Sequence, residues 1–318
     1  MITGIGGQDG FYLAHQLLAE GQRVLAAEDP SRPLEGRLDP SLVGRVVRVR
    51  WDAGDPAAMT ALLRNEQPDD LYNLAACSSG RGMHDDPVAM AELTAGAVAR
   101  TLEAIVAAGG TTRFCQASSS EMFGLADASP QTERTAFRPR SPYGAAKLFA
   151  HVLVDTYRER HGVFACSAIL YNHESPRRRA EFVTRKVSHG AAAIGAGRAG
   201  ALRLGNLDAR RDWGYAPDYT RAMHLMLAHD GPGDYVVATG ESHSVRELCE
   251  LAFERVGLDY REHLRVDATE SRSPEAVPLV GDATRLRDML DWRPSVDFAT
   301  LVAMMVDADV AAIHEGSS

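Results

Sequence analysis

The first half of the chain alternates short apolar runs with longer amphipathic stretches. The apolar runs predict strands at 22–27, 45–50, 69–76, 113–118 and 164–171. Between them, residues with helical periodicity predict helices at 10–20, 56–65 and 87–109. Because strands that alternate with helices form a parallel sheet covered on both faces, this order predicts a Rossmann-type doubly wound α/β fold.

After residue 171 the pattern becomes less regular, with short strands and helices to the end. We expect residues 1–171 to form the dinucleotide-binding domain, and a segment at about 206–232 to return to it. Residues 172–318 are expected to form mainly a smaller α/β lobe that binds the substrate. Such a lobe would close over the carboxyl ends of the parallel strands, where ligands bind in these folds.

The strongest chemical signal lies in the segment QASSSEMFG, at 116–124, and the later SPYGAAK. Tyr143 and Lys147 stand four residues apart, so a helix would place both side chains on one face. Ser141 suits the N-cap of that helix, and Pro142 suits its first position. A lysine ammonium beside a phenol favours the phenolate, so we expect Tyr143 to take a proton from a substrate hydroxyl near neutral pH.

A hydroxyl and a carboxylate, Ser119 and Glu121, follow the apolar strand of the same segment. A phenol base alone suits simple hydride transfer. The additional carboxyl group indicates a second proton transfer, so reactions that need only hydride transfer fit less well. The alternative is a strand-end turn with a surface acid.

Three glycines near the start of the chain predict a nucleotide loop. Gly4, Gly7 and Gly10 have GxxGxxG spacing before a helical stretch, where a pyrophosphate can approach backbone N–H groups. Only residues 1–3 precede this loop, against about 5–6 in a usual strand. Either the true start lies upstream or the fold tolerates a short central strand.

Acidic residues mark the expected adenosine side of that site. Glu28 and Asp29 follow the second strand about twenty residues beyond the glycines, where an acid can bind both ribose hydroxyls. An acid there repels a 2′-phosphate and therefore predicts NAD over NADP. Asp52, at the end of the third strand, can accept from the adenine amino group. The alternative for each acid is a solvated turn.

Composition excludes several classes of function. The net charge of -9 argues against nucleic-acid binding, and no apolar run approaches the length of a membrane span. The start also lacks a signal-peptide pattern. Four cysteines without CxxC spacing (Cys77, Cys115, Cys166 and Cys249) predict buried thiols in a reducing cytosol, and we expect no metal site. We therefore expect a cytoplasmic protein without nucleic-acid or membrane partners.

With these residues in place, the chain resembles the GDP-mannose 4,6-dehydratases, a branch of the extended short-chain dehydrogenases/reductases. GxxGxxG and YxxxK occur throughout that superfamily, whereas NHESPRR followed by GNLDARRDWG is characteristic of this branch. The matching blocks are GIGGQDG (4–10), YNLAA (72–76), QASSSEMFG (116–124), SPYGAAK (141–147), YNHESPRRR (171–179), FVTRK (182–186), LGNLDARRDWG (204–214) and ATGESHSVRE (238–247).

The resemblance implies conversion of GDP-mannose, or a similar GDP sugar, to the 4-keto-6-deoxy sugar and water. Tyr143 would deprotonate the hydroxyl of sugar carbon 4 while hydride passes to the nicotinamide, and Ser119 would hydrogen-bond the developing oxyanion. Glu121 would remove the proton of carbon 5 and return a proton to the departing hydroxyl of carbon 6. Return of the hydride to carbon 6 would regenerate the cofactor.

The resemblance also completes the expected binding sites. The cofactor site then comprises Gly4, Gly7, Gln8, Asp9, Gly10, Glu28, Asp29, Asp52, Ala53, Leu74, Ala75, Ala76, Ser78, Tyr143, Lys147, His173 and Arg178. The substrate site comprises Ser78, Ser120, Asn172, Val183, Lys186, Arg211, Arg272 and Glu275. Guanidinium groups suit a diphosphate because they bind its oxygens bidentately. At least one of the basic residues near Arg177, Arg178, Arg185 and Arg211 is expected to be structural, and Trp213 is expected in the core.

One departure from the family pattern changes both the expected cofactor and the expected assembly. The family usually prefers NADP and has basic residues directly after the second strand. This chain has Glu28-Asp29-Pro30 there, so we expect NAD, with NADP as second choice. In several relatives that basic loop supports a tetramer. Its replacement favours a homodimer through the helices at about 87–109 and 143–161, with a tetramer as the alternative. Ser119 also replaces the usual threonine but keeps the hydroxyl.

A further departure concerns the sugar pocket. Residues 77–82 have smaller side chains and a new arginine, which predicts a changed or enlarged hexose, such as a GDP-heptose. Two other functions stay open. A nucleotide-sugar epimerase or reductase would use the same Tyr/Lys pair, but such enzymes generally lack a carboxylate at the position of Glu121. A non-catalytic NAD-binding protein would not need Tyr143, Lys147 and Glu121 together.

Overall fold

The computed structural model describes residues 1–76, 86–267 and 277–315. Its strands are β1 Ile2–Thr3, β2 Leu25–Glu28, β3 Val47–Arg50, β4 Asp70–Asn73, β5 Arg113–Ser119, β6 Ala165–Leu170, β7 Asn172–Glu174, β8 Leu202–Leu204, β9 Arg210–Arg211, β10 Trp213–Tyr215, β11 Asp234–Val237, β12 His243–Ser244 and β13 Leu264–Val266. Its helices are α1 Gln8–Ala19, α2 Pro56–Glu66, α3 Pro87–Ala91, α4 Ala97–Ala108, α5 Pro142–His161, α6 Val183–Gly195, α7 Ala216–Ala228, α8 Val245–Arg255, α9 Tyr260–His263, α10 Thr284–Leu290 and α11 Phe298–Glu315.

Seven of these strands form one parallel sheet in the order β3-β2-β1-β4-β5-β6-β11. This topology confirms the predicted doubly wound α/β fold. All five predicted strands are present within a few residues of their expected bounds, and a π turn at Glu92–Gly96 joins α3 to α4 within the helix expected at 87–109. The two residues of β1 pair with β2 on one side and β4 on the other, so even this short strand lies at the centre of the sheet.

Each face of the sheet is covered by its own apolar core. Phe114 of β5 packs in a core with residues of α2, α4 and α5, whereas the next residue, Cys115, packs in a core with residues of α1 and α7. Successive residues of a strand point to opposite faces, so the continuous apolar run of β5 is explained by burial on both sides. Among the described residues no helix is long and apolar enough to cross a membrane.

The chain leaves this sheet after β6 and later returns to it. β11 pairs with β6 at the edge of the sheet, and α7 packs against α1. Helices α6, α8 and α11 surround a third core, in which Trp213 stacks on Phe298 with ring centroids 5.6 Å apart. Trp213 is thus a core residue. The expected division of the chain near residue 171 stays a prediction.

One buried acid ties these returning segments together. Asp212 lies between β9 and β10 and is 1% exposed. Its carboxylate accepts hydrogen bonds from the amide and hydroxyl of Thr239 and from the amides of Gly240 and Gly281, at 2.7–3.2 Å. Three backbone N–H groups from two distant segments therefore depend on one side chain.

We predict that Asp212→Ala lowers the free energy of unfolding by at least about 3 kcal/mol, because buried N–H groups lose their acceptor. Thermal unfolding followed by circular dichroism should show the loss as a lower Tm. Asp208→Ala is the control, since this acid is 77% exposed in its side chain and pairs with Arg246 at the surface. Its effect should stay within about 0.5 kcal/mol. Equal effects of both variants would contradict the role assigned to Asp212.

Candidate active site

The expected reactive residues meet where β5 ends and α5 begins. The Ser141 hydroxyl accepts from the amide of Gly144 at 3.0 Å, and Pro142 occupies the first position, so α5 starts where the sequence predicts. Tyr143 and Lys147 are both buried on the inner face of this helix. The ammonium nitrogen of Lys147 lies 5.6 Å from the centroid of the Tyr143 ring.

The turn after β5 brings the second pair of residues to the same place. Ser119 caps this turn, and its hydroxyl oxygen accepts from the amide of Glu121 at 3.2 Å. The Ser119 hydroxyl also lies close enough to the phenol of Tyr143 to lower its pKa. The residues that carry the hydroxyl, the phenol and the carboxylate therefore lie together at the end of β5, and their roles stay a prediction.

Gly144 is the residue that allows this cluster to form, and sequence reasoning had assigned it no role. A Cβ atom at this position would lie 2.5 Å from the carbonyl oxygen of Glu121, closer than any side chain can stand. The backbone of α5 thus packs directly on the turn that carries Glu121. The signal was present in SPYGAAK, where glycine directly follows the tyrosine.

Burial dominates the pKa of Tyr143. It raises that pKa well above the ordinary value, and the hydrogen bond from Ser119 and the charge of Arg178 lower it only in part. The carboxylate of Glu121 raises it further. The expectation that Lys147 makes Tyr143 a base near neutral pH therefore does not hold for the chain by itself, because removal of the phenol from water outweighs it.

Lys147 carries a buried charge at the centre of the site. Burial lowers its pKa to about 8, and the charge of Asp9 opposes this effect. Its ammonium donates to the carbonyl of Ala117 at 2.7 Å, and the side-chain amide of Gln116 donates to the same oxygen at 3.0 Å. Lys147 and Lys186 are the only lysines in the sequence.

A row of buried polar side chains continues from Gln116 across the sheet. Asn73 donates to Gln116, and Thr3 donates to Asn73, each at 2.8 Å. The Thr3 hydroxyl in turn accepts from the amides of Leu74 and Ala75, at 3.1 and 3.2 Å. Residues 74–76, which follow β4, are expected to border the cofactor. The polar row links this backbone with the Ala117 carbonyl, which accepts from the Lys147 ammonium.

The glycine loop has the shape that a dinucleotide pyrophosphate needs. Gly4 has a φ of 71°, and a Cβ atom at Gly10 would lie 2.4 Å from the Cα of Ile5. α1 follows with Gly7 as its N-cap and without a side-chain cap. The first N–H groups of a twelve-residue helix are therefore left for a ligand, which fits the phosphates of a dinucleotide.

His173 and Asp9 form an ion pair beside this loop. The Nε2 of His173 lies 3.0 Å from the Asp9 carboxylate, and its Nδ1 lies 2.8 Å from the carbonyl of Tyr171. Burial is the largest single effect on the pKa of His173 and lowers it, but the charge of Asp9 and the hydrogen bonds to Asp9 and Tyr171 together outweigh burial, so the net shift is upward. Although burial opposes it, the pKa of Asp9 is lowered in return. Gln8 joins the pair by donating to the carbonyl of His173 at 3.1 Å.

The acids expected on the adenosine side have partners within the chain. Asp29 accepts from the amide and hydroxyl of Ser31, both at 2.8 Å, and so closes its own turn. Asp52 accepts from the amide of Gly54 at 2.9 Å, across Ala53, and pairs with Arg50. Glu28 instead ends β2 and pairs with an arginine of the neighbouring strand.

The basic residues divide into structural and site-facing ones. Arg185 forms an ion pair with Asp309, a buried residue of α11, and therefore holds two helices together. Arg178 pairs with the buried Glu174 at 3.0 Å, and its charge lowers the pKa of Tyr143, so it lies near the Tyr143 cluster.

The residues expected to bind the substrate occupy elements around the same edge of the sheet. Asn172 begins β7, Val183 and Lys186 lie in the first turn of α6, and Arg211 ends β9. Ser120 is buried in the turn before Glu121. Ser78, Arg272, Glu275 and the run 77–82 lie outside the described residues. Among the described residues no cluster of side chains could hold a metal ion.

Comparison with known families decides between the enzymes that share this arrangement. The family model described as GDP-mannose 4,6 dehydratase matches residues 1–305. The chain belongs to the GDP-mannose 4,6-dehydratase family. One relative, GDP-mannose 4,6 dehydratase 1 of Arabidopsis thaliana, is 42% identical over 322 residues, which cover 98% of this chain and 89% of the relative.

Solved structures share the fold of this dehydratase family member. RMD from Pseudomonas aeruginosa, complexed with NADPH, has a TM-score of 0.82 and 23% identity, with 98% of both chains covered. UDP-glucose 4-epimerase of Thermus thermophilus, in complex with NAD, has a TM-score of 0.82 and 24% identity, with 98% of both chains covered. At these identities the likeness shows the fold alone.

The buried Lys147 ammonium lowers the stability of this dehydratase family member, which can be tested. A pKa lowered from 10.5 to about 8 corresponds to roughly 3 kcal/mol against folding at neutral pH. We predict that Lys147→Met raises the free energy of unfolding by about 1–3 kcal/mol at pH 7, since Gln116 still satisfies the Ala117 carbonyl.

The gain should shrink as the pH rises from 8 to 10.5, because the folded state then loses the Lys147 proton before the unfolded chain does. Denaturant titrations across this pH range measure it. Lys186→Met, at a partly exposed position, controls for the loss of one positive charge and should change stability by less than about 1 kcal/mol. A Lys147→Met variant that is less stable than the parent at pH 7 would contradict the prediction.

Proposed function

We propose that the protein is a nucleotide-sugar 4,6-dehydratase that converts GDP-mannose, or a closely similar GDP sugar, to the GDP-4-keto-6-deoxy sugar and water. The observation that carries the proposal is the contact between α5 and the Glu121 turn at Gly144. Because the turn carries Ser119 and Glu121 and the helix carries Tyr143, this contact supports a shared role for the three side chains. The activity in the name of the Arabidopsis relative supports the same reaction.

The reaction assigns one proton transfer to each side chain. Tyr143 takes the proton of the carbon 4 hydroxyl, and Ser119 hydrogen-bonds the oxygen as it becomes a ketone. Glu121 removes the proton of carbon 5, which the ketone has made acidic, and passes a proton to the carbon 6 oxygen as water leaves. Carbon 5 regains a proton at the end of the reaction. The proton that Tyr143 took from the carbon 4 hydroxyl supplies it, so the number of protons balances.

The cofactor is a nicotinamide dinucleotide held by the glycine loop and α1. A bound oxidised nicotinamide supplies positive charge near the phenol and reversible hydride acceptance between carbons 4 and 6. Gly4, Gly7 and Gly10 shape the loop, and Lys147 and His173 flank it. We propose NAD as the preferred form, because Glu28 ends β2 where the adenosine ribose is expected.

A nucleotide-sugar epimerase or reductase is the second candidate, because its chemistry also needs Tyr143 and Lys147. That reaction has no use for a carboxylate at the position of Glu121. The packing of Gly144 on the Glu121 turn therefore favours the dehydratase. The smaller side chains of residues 77–82 still support a substrate with a hexose altered from mannose.

We predict that Glu121→Gln lowers dehydration about 100-fold or more while oxidation at carbon 4 continues, because only the second proton transfer is lost. With substrate at enzyme concentration, mass spectrometry should detect a 4-keto sugar that has lost two hydrogens but no water. Tyr143→Phe should form neither product. Asp127→Asn, an exposed acid on the following loop, is the matched control and should leave turnover unchanged.

The same assay in deuterated water separates the two candidate functions. A dehydratase product loses one water and carries one deuterium at carbon 5. A product that keeps its carbon 5 hydrogen and its water would instead favour the epimerase or reductase. An unchanged GDP-mannose together with turnover of a GDP-heptose would keep the reaction and move the substrate to the altered hexose.

We further propose a cytoplasmic homodimer formed through α3 to α5. Phe149 and Val152 are 53% and 52% exposed on one face of α5, and Val88 and Leu93 are 73% and 40% exposed on the helix packed beside it. A patch of large apolar side chains suits a protein interface. The thiols of Cys115, Cys166 and Cys249 are free and buried, which suits a reducing compartment.

The segment after β2 also supports a dimer rather than a tetramer. The carbonyl oxygen of Arg37 stands 3.1 Å from the position of a Cβ at Gly6, so this segment folds onto the chain's own glycine loop. The segment therefore already packs against its own subunit, whereas a tetramer of the kind expected for relatives would use it to contact a neighbouring subunit.

We predict that Phe149→Glu combined with Val152→Glu converts the dimer to monomers, because charges would be buried at the interface. Size-exclusion chromatography with light scattering measures the mass. Val266→Glu places the same charge at a 65% exposed valine of β13 in the other lobe and should leave the dimer intact. A parent protein that is already monomeric would rule out this interface.

A further inference from the structure

The acid at the end of β2 is held by a single arginine of the next strand. Glu28 Oε1 accepts from Arg48 Nη2 at 2.5 Å, and Glu28 Oε2 accepts from Arg48 Nε at 3.1 Å. The amide of Leu34 donates to Oε1 as well, at 2.8 Å. The hydrogen bond from Arg48 is the largest cause that lowers the pKa of Glu28, so the carboxylate stays ionised and paired.

This pairing leaves the carboxylate little capacity for a ribose. Each carboxylate oxygen accepts about two hydrogen bonds, so Oε1 is filled and Oε2 has room for one more. Glu28 can therefore accept from one ribose hydroxyl, but not from two, while the pair is intact. Its negative charge, which would repel a 2′-phosphate, is balanced by the guanidinium beside it.

The Arg48 guanidinium has N–H groups that Glu28 does not use. It carries five N–H groups, of which Nε and Nη2 serve Glu28. Nη2 also lies 3.5 Å from Glu35, and within the described ranges Nη1 of Arg48 has no acceptor. The side chain of Arg48 is 43% exposed, so a phosphate that approached Glu28 would meet these donors directly.

We propose that Arg48 determines how strongly this chain discriminates between NAD and NADP, which rests on the proposed dinucleotide site. Paired with Glu28, it weakens the repulsion of a 2′-phosphate and offers that phosphate its remaining N–H groups. Glu28 accepts one hydroxyl of the NAD ribose. NAD is preferred, but only moderately, and the preference depends on one exposed ion pair.

The test is a competition that does not require turnover. The full-length protein is equilibrated with equimolar NAD and NADP, freed of unbound nucleotide and denatured, and the released nucleotides are quantified by mass spectrometry. The bound ratio reports relative affinity directly. Arg48→Met keeps the length of the side chain but removes the charge, and Glu28→Gln removes the acid.

Arg23→Met is the matched control. Arg23 forms the same kind of exposed pair, with Glu66 at 2.8 Å, but it precedes β2 and so lies at the opposite end of that strand. The same loss of charge there should leave the bound ratio unchanged. Circular dichroism confirms that each variant is folded, which is expected because both arginines are exposed.

We expect Arg48→Met to lower the ratio of bound NADP to NAD about tenfold or more, because a charge-assisted contact to the phosphate is lost. Glu28→Gln should raise the ratio, and added salt should lower it in the parent but not in Arg48→Met. A ratio in Arg48→Met equal to that of the parent, in protein that binds and turns over, would overturn this inference alone. A parent that retains neither nucleotide would overturn the proposed cofactor site as well.

Discussion

A buried ammonium group needs an acceptor, and in this protein the Ala117 carbonyl provides it. β4 ends at Asn73, which stands opposite Gln116, so β5 continues past its neighbour and Ala117 has no partner residue in β4. The carbonyl can then take Lys147 and the Gln116 side chain together. Because the polar row from Thr3 depends on strands in register, a slip of one residue would turn these side chains to the other face. The helix that carries Tyr143 and Lys147 is thus fixed by the sheet.

The site gathers groups whose burial is unfavourable. Tyr143 and Lys147 both resist ionisation away from water, and Glu121 sits close enough to the phenol to raise its pKa further. Such a cluster persists only because its surroundings hold it, here through the contact of Gly144 with the Glu121 turn. Positive charge from a bound cofactor would stabilise a phenolate at Tyr143, and negative charge on a bound ligand would stabilise the Lys147 ammonium.

Most of the fold was predictable from the sequence, since periodicity and capping residues are local signals. Ser141 and Pro142 marked the start of α5, and the apolar run of β5 marked a strand buried on both faces. The partners of polar residues were not predictable, because they depend on register and on contacts between distant segments. Arg185 meets Asp309 and Glu28 meets Arg48 only in the folded chain. The pKa of Tyr143 was misjudged for the same reason, since burial cannot be read from the spacing of tyrosine and lysine.

Positive charge on this protein is carried almost wholly by arginine, and its two lysines both fall where ligands are expected. Apart from the amino terminus, an acylating or aldehyde reagent therefore finds no target on the ordinary surface. Lys147, with a pKa of about 8, holds more of the reactive free amine at neutral pH than a usual lysine does. Covalent labelling of amines would thus report on occupancy of the pocket, and coupling to a solid support through lysine would obstruct the enzyme rather than anchor it.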